Sequence, residues 1–137
     1  MNHIPEIIQR WHTVFYAQDV KGLDAVLADD AIFHSPVVHT PQRGKKITTQ
    51  YLAAAFFLLG GEKAKYVREV YGESDAILEF ETEIDGLHVN GVDMIHWNED
   101  GLIDDFKVMI RPLQAINRIH QKMAEMLAQM AKKKQKK

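Results

Sequence analysis

Asp93 is the residue best placed to do chemistry. It stands mid-strand in Val92-Asp93-Met94-Ile95. A carboxyl turned into such apolar surroundings loses hydration, which favours its protonated form and raises its pKa. Its direction stays open at this level. The alternate strand face, Asn90, Val92, Met94 and His96, is about equally apolar, and an outward Asp93 would pair with a cation on a neighbouring strand. Trp11 offers an indole N–H that donates one hydrogen bond and accepts none. It either fills the core of an amphipathic helix or lines a cavity with that N–H free. Phe15, one helical turn on, would share its wall. Imidazole titrates near neutral pH, so His34 and His39 are the candidate bases. His39 falls in a loop over the expected cavity mouth, while His34 should face away from Ser35. Their separation fits no zinc motif and no third ligand is evident, so neither a metal nor a cofactor is expected. Tyr51 could supply a hydroxyl from a helix.

The elements that must position these groups are read from periodicity. Ile4, Ile7, Ile8, Trp11, Val14 and Phe15 recur at three- and four-residue steps and predict a helix over 6–18. A short helix is expected at about 20–28, ended by Asp29-Asp30, then a strand at 31–35 stopped by Pro36 and a loop over 37–43. A third helix should run from Lys45 to Leu59, closed by Gly60-Gly61. The second half alternates. Leu78, Phe80, Thr82 and Ile84 against Glu79, Glu81 and Glu83 give the period of a half-buried strand. Asp85-Gly86 is a hairpin signal, and strands are expected at 65–71, 76–84, 87–97 and 102–110. Pro112 opens a last helix with an apolar stripe of Leu113, Ile116, Ile119, Met123, Met126, Leu127 and Met130. Early helices followed by an antiparallel meander predict an α+β fold, with helices on one face of a curved sheet and a cavity between them.

Composition narrows the function classes. The 137 residues suffice for one domain, and 46% hydrophobic with 26% charged residues excludes a wholly disordered chain. The net charge of −2 hides an asymmetry: five of the 17 basic residues lie in the last six positions, leaving 12 against 19 acidic residues over 1–131. A single domain over 1–131, including a C-terminal helix from about 112, and a disordered basic tail over 132–137 are expected. The acidic body argues against a basic nucleic-acid binder, and the tail lacks the aromatics that stacking on bases requires. Neither nucleic acid nor membrane is an expected partner. Cysteine is absent, which excludes disulfides and thiolate chemistry. Without a signal-like start or an apolar run long enough to span a bilayer, the reading is a cytoplasmic, soluble protein.

Three stretches resemble the nuclear transport factor 2-like superfamily, the cone-shaped α+β fold of ketosteroid isomerases and SnoaL-like polyketide cyclases. They are Gln9-Arg10-Trp11 through Asp19-Val20-Lys21-Gly22-Leu23; Ala28-Asp29-Asp30-Ala31 with Ser35-Pro36-Val37 and Gly44; and Gly91-Val92-Asp93 through Asp100-Gly101 to Arg111-Pro112. The resemblance implies a cone cavity with the N-terminal helices on the concave face of the sheet. It puts Asp93 at an oxyanion-stabilising acid, Trp11 at the place of an oxyanion tyrosine and Ser35 where the isomerases carry their base aspartate. Ketosteroid isomerase is a standard case of an aspartate base beside an oxyanion hole made by a tyrosine and a protonated aspartic acid. Serine cannot abstract a carbon-bound proton unaided, so His39 is the replacement candidate. Phe15, Phe33, Ser35, Tyr51, Phe80, Ile95, Phe106 and Val108 are expected to line the chamber; the alternative is a filled core.

The expected function is binding of a small, largely apolar, carbonyl-bearing ligand with isomerase- or cyclase-type acid–base chemistry. The alternative is a non-catalytic binding or dimerisation module. The glutamate row reads as a charged outer face or dimer surface. The resemblance and the Met-rich last helix together favour a homodimer.

Overall fold

A computed structural model describes residues 3–135; Lys136 and Lys137, and the side chains of Met130 and of residues 133–135, lie outside the described residues. The elements are α1 (Glu6–Ala17), α2 (Leu23–Val26), β1 (Leu27–His34), β2 (Gln42–Arg43), α3 (Lys45–Leu59), β3 (Lys65–Tyr71), β4 (Asp75–Ile84), β5 (Leu87–Trp97), β6 (Ile103–Arg111) and α4 (Leu113–Gln135). The six strands form one curved, unclosed sheet in the order β2-β1-β6-β5-β4-β3. Strands β3 to β6 are the expected antiparallel meander. Asp85 and Gly86 both take positive φ at the β4–β5 turn, as a two-residue hairpin of this hand requires.

Six expectations need correction. The helix expected at 20–28 is one turn, Leu23–Val26. Asp29 and Asp30 do not end it but lie exposed within β1, because Leu27, Ala31 and Phe33 of the same strand are buried and hold the segment extended. The sheet is not wholly antiparallel, since β1 pairs in parallel with β6. Part of the expected loop is β2, which pairs with Ile32 and Phe33. In α4, Leu113 is 70% exposed; the inward line is Ala115, Ile119 and Met123, spaced by four. Helix α4 continues past Lys132, where the sequence reading starts the tail.

Pairing sets the two faces of the sheet. Leu78 stands opposite Asp93, and Asp93 opposite Val108. Paired residues share a face, so Asp93 points inward with Leu78, Phe80, Ile95, Phe106 and Val108, all of them buried. Helix α1 lays Ile7, Ile8, Trp11 and Val14 on that face, and α3 adds Leu52 and Phe56. Helix α4 packs on α3 and on β4 to β6. Arg118 (2.8 Å) and Lys122 (3.2 Å) on α4 both bind Asp85 at the hairpin tip. Their bonds hold the Asp85 carboxyl below its ordinary pKa.

Candidate functional site

The inner face carries one carboxyl among aromatic and aliphatic side chains. Asp93 is 6% exposed and Trp11 is 1% exposed. They do not touch each other directly. Tyr66, on β3, stands between them: its hydroxyl accepts from Trp11 Nε1 at 2.8 Å and donates to Asp93 Oδ2 at 2.5 Å. Burial pushes the Asp93 carboxyl up from 3.8 to about 7, against the Tyr66 hydrogen bond, which favours the ionised form. The Tyr66 phenol is raised well above 10, first by burial and then by the Asp93 charge beside it.

A cavity of about 40 Å³ opens against Asp93 and Trp11, the two ends of this chain of hydrogen bonds. Asp93 is the sole charged residue in its lining, with Trp11, Phe15, Phe80, Phe106 and Val108 from α1 and the sheet. The rest of the wall comes from α3, through Leu52, Ala55, Phe56 and Leu59. The aromatic rings brace one another: Trp11 meets Phe106 edge-on at 4.9 Å, and Phe15 lies 4.7 Å from Tyr66. Space for Phe80 is made by Gly91. A Cβ there would lie 2.6 Å from Phe80 Cζ and 2.6 Å from the Met109 carbonyl oxygen, so the ring rests on the bare β5 backbone beside Asp93.

The other expected site residues are placed elsewhere. Phe33 stacks on Tyr51 at 5.2 Å and on Phe106 at 6.2 Å, and so forms a layer behind the cavity wall. Ile95 is buried in the same core. Ser35 falls just beyond the end of β1. Its hydroxyl oxygen accepts the N–H groups of Val37 (3.1 Å) and Val38 (3.3 Å) and so fastens a turn. Ser35 and His39 line a second, larger hollow of about 440 Å³ with His34, Pro36, Pro41 and Lys107. It lies where β6 runs on past its last pairing with β1, His34 with Lys107. Val108 borders both spaces. His34 is bonded to Asp105 at 2.9 Å.

Sequence reasoning missed Tyr66 and the α3 wall. The signal for Tyr66 was faint: a tyrosine within a strand whose apolar positions follow no clean alternation. A bulge between Tyr66 and Arg68 explains this. Val67 takes the bulge and is exposed, and Tyr66, Glu69 and Tyr71 then pair with the inward residues Phe80, Leu78 and Ala76. Glu69 accepts from Tyr71 Oη at 2.8 Å and binds His12 Nε2 at 2.9 Å, tying β3 to α1. Burial, then Glu69, push the Tyr71 phenol up to about 12. Among the described residues, no cluster of three or more His, Cys, Asp or Glu could hold a metal ion, and no helix is long and apolar enough to cross a membrane.

The architecture has close counterparts. A steroid delta-isomerase from Pseudomonas aeruginosa superposes with a TM-score of 0.86 at 29% identity, over 91% of each chain. An uncharacterised protein with a cystatin-like fold from Silicibacter pomeroyi gives 0.88 at 27% identity, over 94% of this chain and 90% of that one. An epoxide hydrolase/cyclase-like enzyme of pyran-ring formation in the polyether salinomycin gives 0.64 at 16% identity, over 77% and 88%, and shares the fold. No curated protein matches the sequence. The model of the SnoaL-like domain matches residues 8–106. With that match covering most of the chain, and with isomerase and NTF2-like neighbours of the same architecture, the protein belongs to the SnoaL-like domain family of the NTF2-like superfamily.

Proposed function

We propose that the chain binds a small, largely apolar molecule through one carbonyl or hydroxyl oxygen, with Asp93 and Trp11 as its polar contacts. The observation that carries this is a single buried carboxyl, bonded to a phenol, at the wall of an otherwise apolar cavity. A pocket of that kind binds by its apolar walls and orients by its few polar groups. Native mass spectrometry of the purified protein, followed by titration with a panel of small cyclic ketones and alcohols, tests it. Binding weakened about tenfold in Asp93→Leu is expected, the loss of one buried hydrogen bond. Absence of binding across the panel overturns the reading.

A second reading, isomerase- or cyclase-type chemistry on that ligand, is favoured by the Asp93 pKa of about 7. Near neutral pH both forms are populated, so the carboxyl can give a proton to a carbonyl oxygen or accept one. The steroid delta-isomerase among the structural neighbours points the same way. Loss of a carbon-bound proton requires an acceptor at the cavity. Ser35 is committed to its turn and His39 lines the other hollow, so Asp93 is the chain's own candidate for that role. Turnover of the same panel, with loss in Asp93→Asn, separates catalysis from binding alone.

We also propose a homodimer through the outer sheet face. Val70, Ile77 and Met109 are 59%, 42% and 53% exposed there, on β3, β4 and β6. Glu79, Glu81 and Glu83 form an acidic column on β4, and Lys107 and Arg111 a basic one on β6, two strands away. Two copies packed back to back about an axis along β5 would set each column over the other's opposite. Sedimentation of wild type and Met109→Lys tests it: a dimer that becomes a monomer is expected, and a monomeric wild type overturns it.

A further inference from the structure

We propose that Tyr66 is a displaceable plug: its phenol occupies the ligand's own place between Trp11 and Asp93, and the molecule that displaces it presents a planar phenolic or enolic hydroxyl to the same pair. This deepens the ligand-site reading above and rests on it.

Three observations carry the inference. The first is the hydrogen-bond pattern. One oxygen accepts from an indole N–H at 2.8 Å and donates to a carboxyl oxygen at 2.5 Å. A hydroxyl can do both at once, whereas a carbonyl oxygen only accepts. The second is the space. The cavity, whose wall residues Trp11, Asp93, Phe15 and Phe80 all contact Tyr66, holds about 40 Å³, far below the roughly 300 Å³ at which small-molecule sites begin. The Tyr66 ring has Phe15 tilted against it at 4.7 Å and meets Phe80 edge-on at 6.5 Å, so its place is already walled by aromatic rings. Removing this side chain is the direct way to enlarge the space without dismantling the core.

The third is the mounting. Strand β3 is an edge of the sheet and pairs only with β4. Tyr66 precedes a bulge, and its N–H is donated to the Tyr16 hydroxyl at 3.0 Å. The segment is held to α1 by side chains, Tyr16 at Tyr66 and His12 at Glu69. Tyr66 can therefore leave without breaking the central ladder. Leaving alone would strand the Trp11 N–H and the Asp93 carboxyl without a partner, which is costly in a buried site. A ligand hydroxyl that takes over both bonds removes that cost, so exchange is favoured over simple opening.

The experiment is calorimetric titration of wild type, Tyr66→Ala and Tyr66→Phe with 4-methylphenol, and with toluene as the same shape without the hydroxyl. Tyr66→Ala should bind 4-methylphenol about tenfold or more tightly than wild type does, and about tenfold more tightly than it binds toluene. Tyr66→Phe keeps the plug's bulk and should show no such gain. Equal affinity of Tyr66→Ala and wild type for 4-methylphenol overturns the plug, while the ketone and alcohol panel on wild type still decides the ligand-site reading separately. Equal affinity of Tyr66→Ala for 4-methylphenol and toluene overturns the hydroxyl class, and a gain in Tyr66→Phe as large as in Tyr66→Ala overturns the role of bulk. If Tyr66→Ala folds poorly alone, 4-methylphenol should raise its Tm by more than toluene does at the same concentration. Failure to do so overturns the proposal.

Discussion

Asp93 and Glu79 sit on neighbouring strands one pairing step apart: Leu78 faces Asp93, and Glu79 faces Val92. That single step puts the two carboxyls on opposite faces of the same sheet. Glu79 meets solvent and cations; Asn90 Nδ2 donates to it at 3.0 Å and Arg68 Nε lies at 3.4 Å. Asp93 meets rings, one phenol and no cation among the described residues. Outside, charge is neutralised by partners with water at hand. Inside, a carboxyl without a cation lowers its cost by keeping its proton. Strand parity, and nothing in the residue type, turns one carboxyl into a surface group and the other into a candidate for recognition and proton exchange.

The inner face should be the more fragile by far. Trp11 is fully buried against Phe56 and Phe106, so Trp11→Ala is expected to cost about 3–5 kcal/mol in urea denaturation. Trp11→Phe keeps much of the packing but strips the N–H from Tyr66, and should cost less. If the two variants lose the same stability, the hydrogen bond rather than the packing governs this face.

The Asp93 carboxyl gives the inner face its own pH dependence. Its folded pKa, about 7, lies above the ordinary 3.8, so between these values the native state holds a proton that the unfolded chain has released. The contribution of this carboxyl to stability is therefore greatest on the acid side of this window and falls as pH rises from about 4 to about 7. The gap corresponds to about 4 kcal/mol. Asp93→Asn cannot ionise and can still accept from Tyr66. It should match wild type near pH 4 and exceed it at pH 8. Thermal denaturation of both proteins across pH 4–8 checks this, and parallel profiles would refute the burial of an ionisable carboxyl as the cause.

Gly91 is the inner face's tightest point. Gly91→Ala puts a methyl into the Phe80 ring and the Met109 carbonyl. The ring must tilt toward the cavity, at about 1–3 kcal/mol. Ligand affinity should fall with stability, read by calorimetry beside a melting curve. A stability loss with unchanged affinity would mean that Phe80 does not bound the ligand's space.

Much of this inner face was legible from residues alone. The alternation along β4 and the Asp85-Gly86 turn gave the hairpin its register, and the 3.6-residue spacing of Ile7, Ile8, Trp11 and Val14 gave the helix that covers it. The direction of Asp93 was not legible, because Val92 and Met94 make the outward face as apolar as the inward one; pairing with Leu78 and Val108 decides it. Tyr66 escaped for a different reason. The bulge at Val67 breaks the alternation between Tyr66 and the other inward residues of its strand, Glu69 and Tyr71, and leaves no signature in residue types. The loop read as a cavity mouth, with Ser35 and His39, borders a separate hollow because Pro36 and the Ser35 turn carry the chain away from the sheet.

The outer face supplies the control. Glu79→Gln removes a charge whose partners are a 78%-exposed Arg68 and an amide, an arrangement that contributes about 0–1 kcal/mol because water screens the pair. The variant should melt within a few degrees of wild type and keep the full fall in stability between pH 4 and 7, since Asp93 still titrates beneath it. Asp93→Asn should do the reverse, removing the Asp93 part of the slope while Glu79 stays; His96, its pKa raised by the bond to Asp104, keeps its own share. Both carboxylates would then have been neutralised one pairing step apart, with only the inward one changing the pH profile. A profile flattened by Glu79→Gln would move the titrating group to the outer face and remove the basis for assigning proton exchange to the cavity.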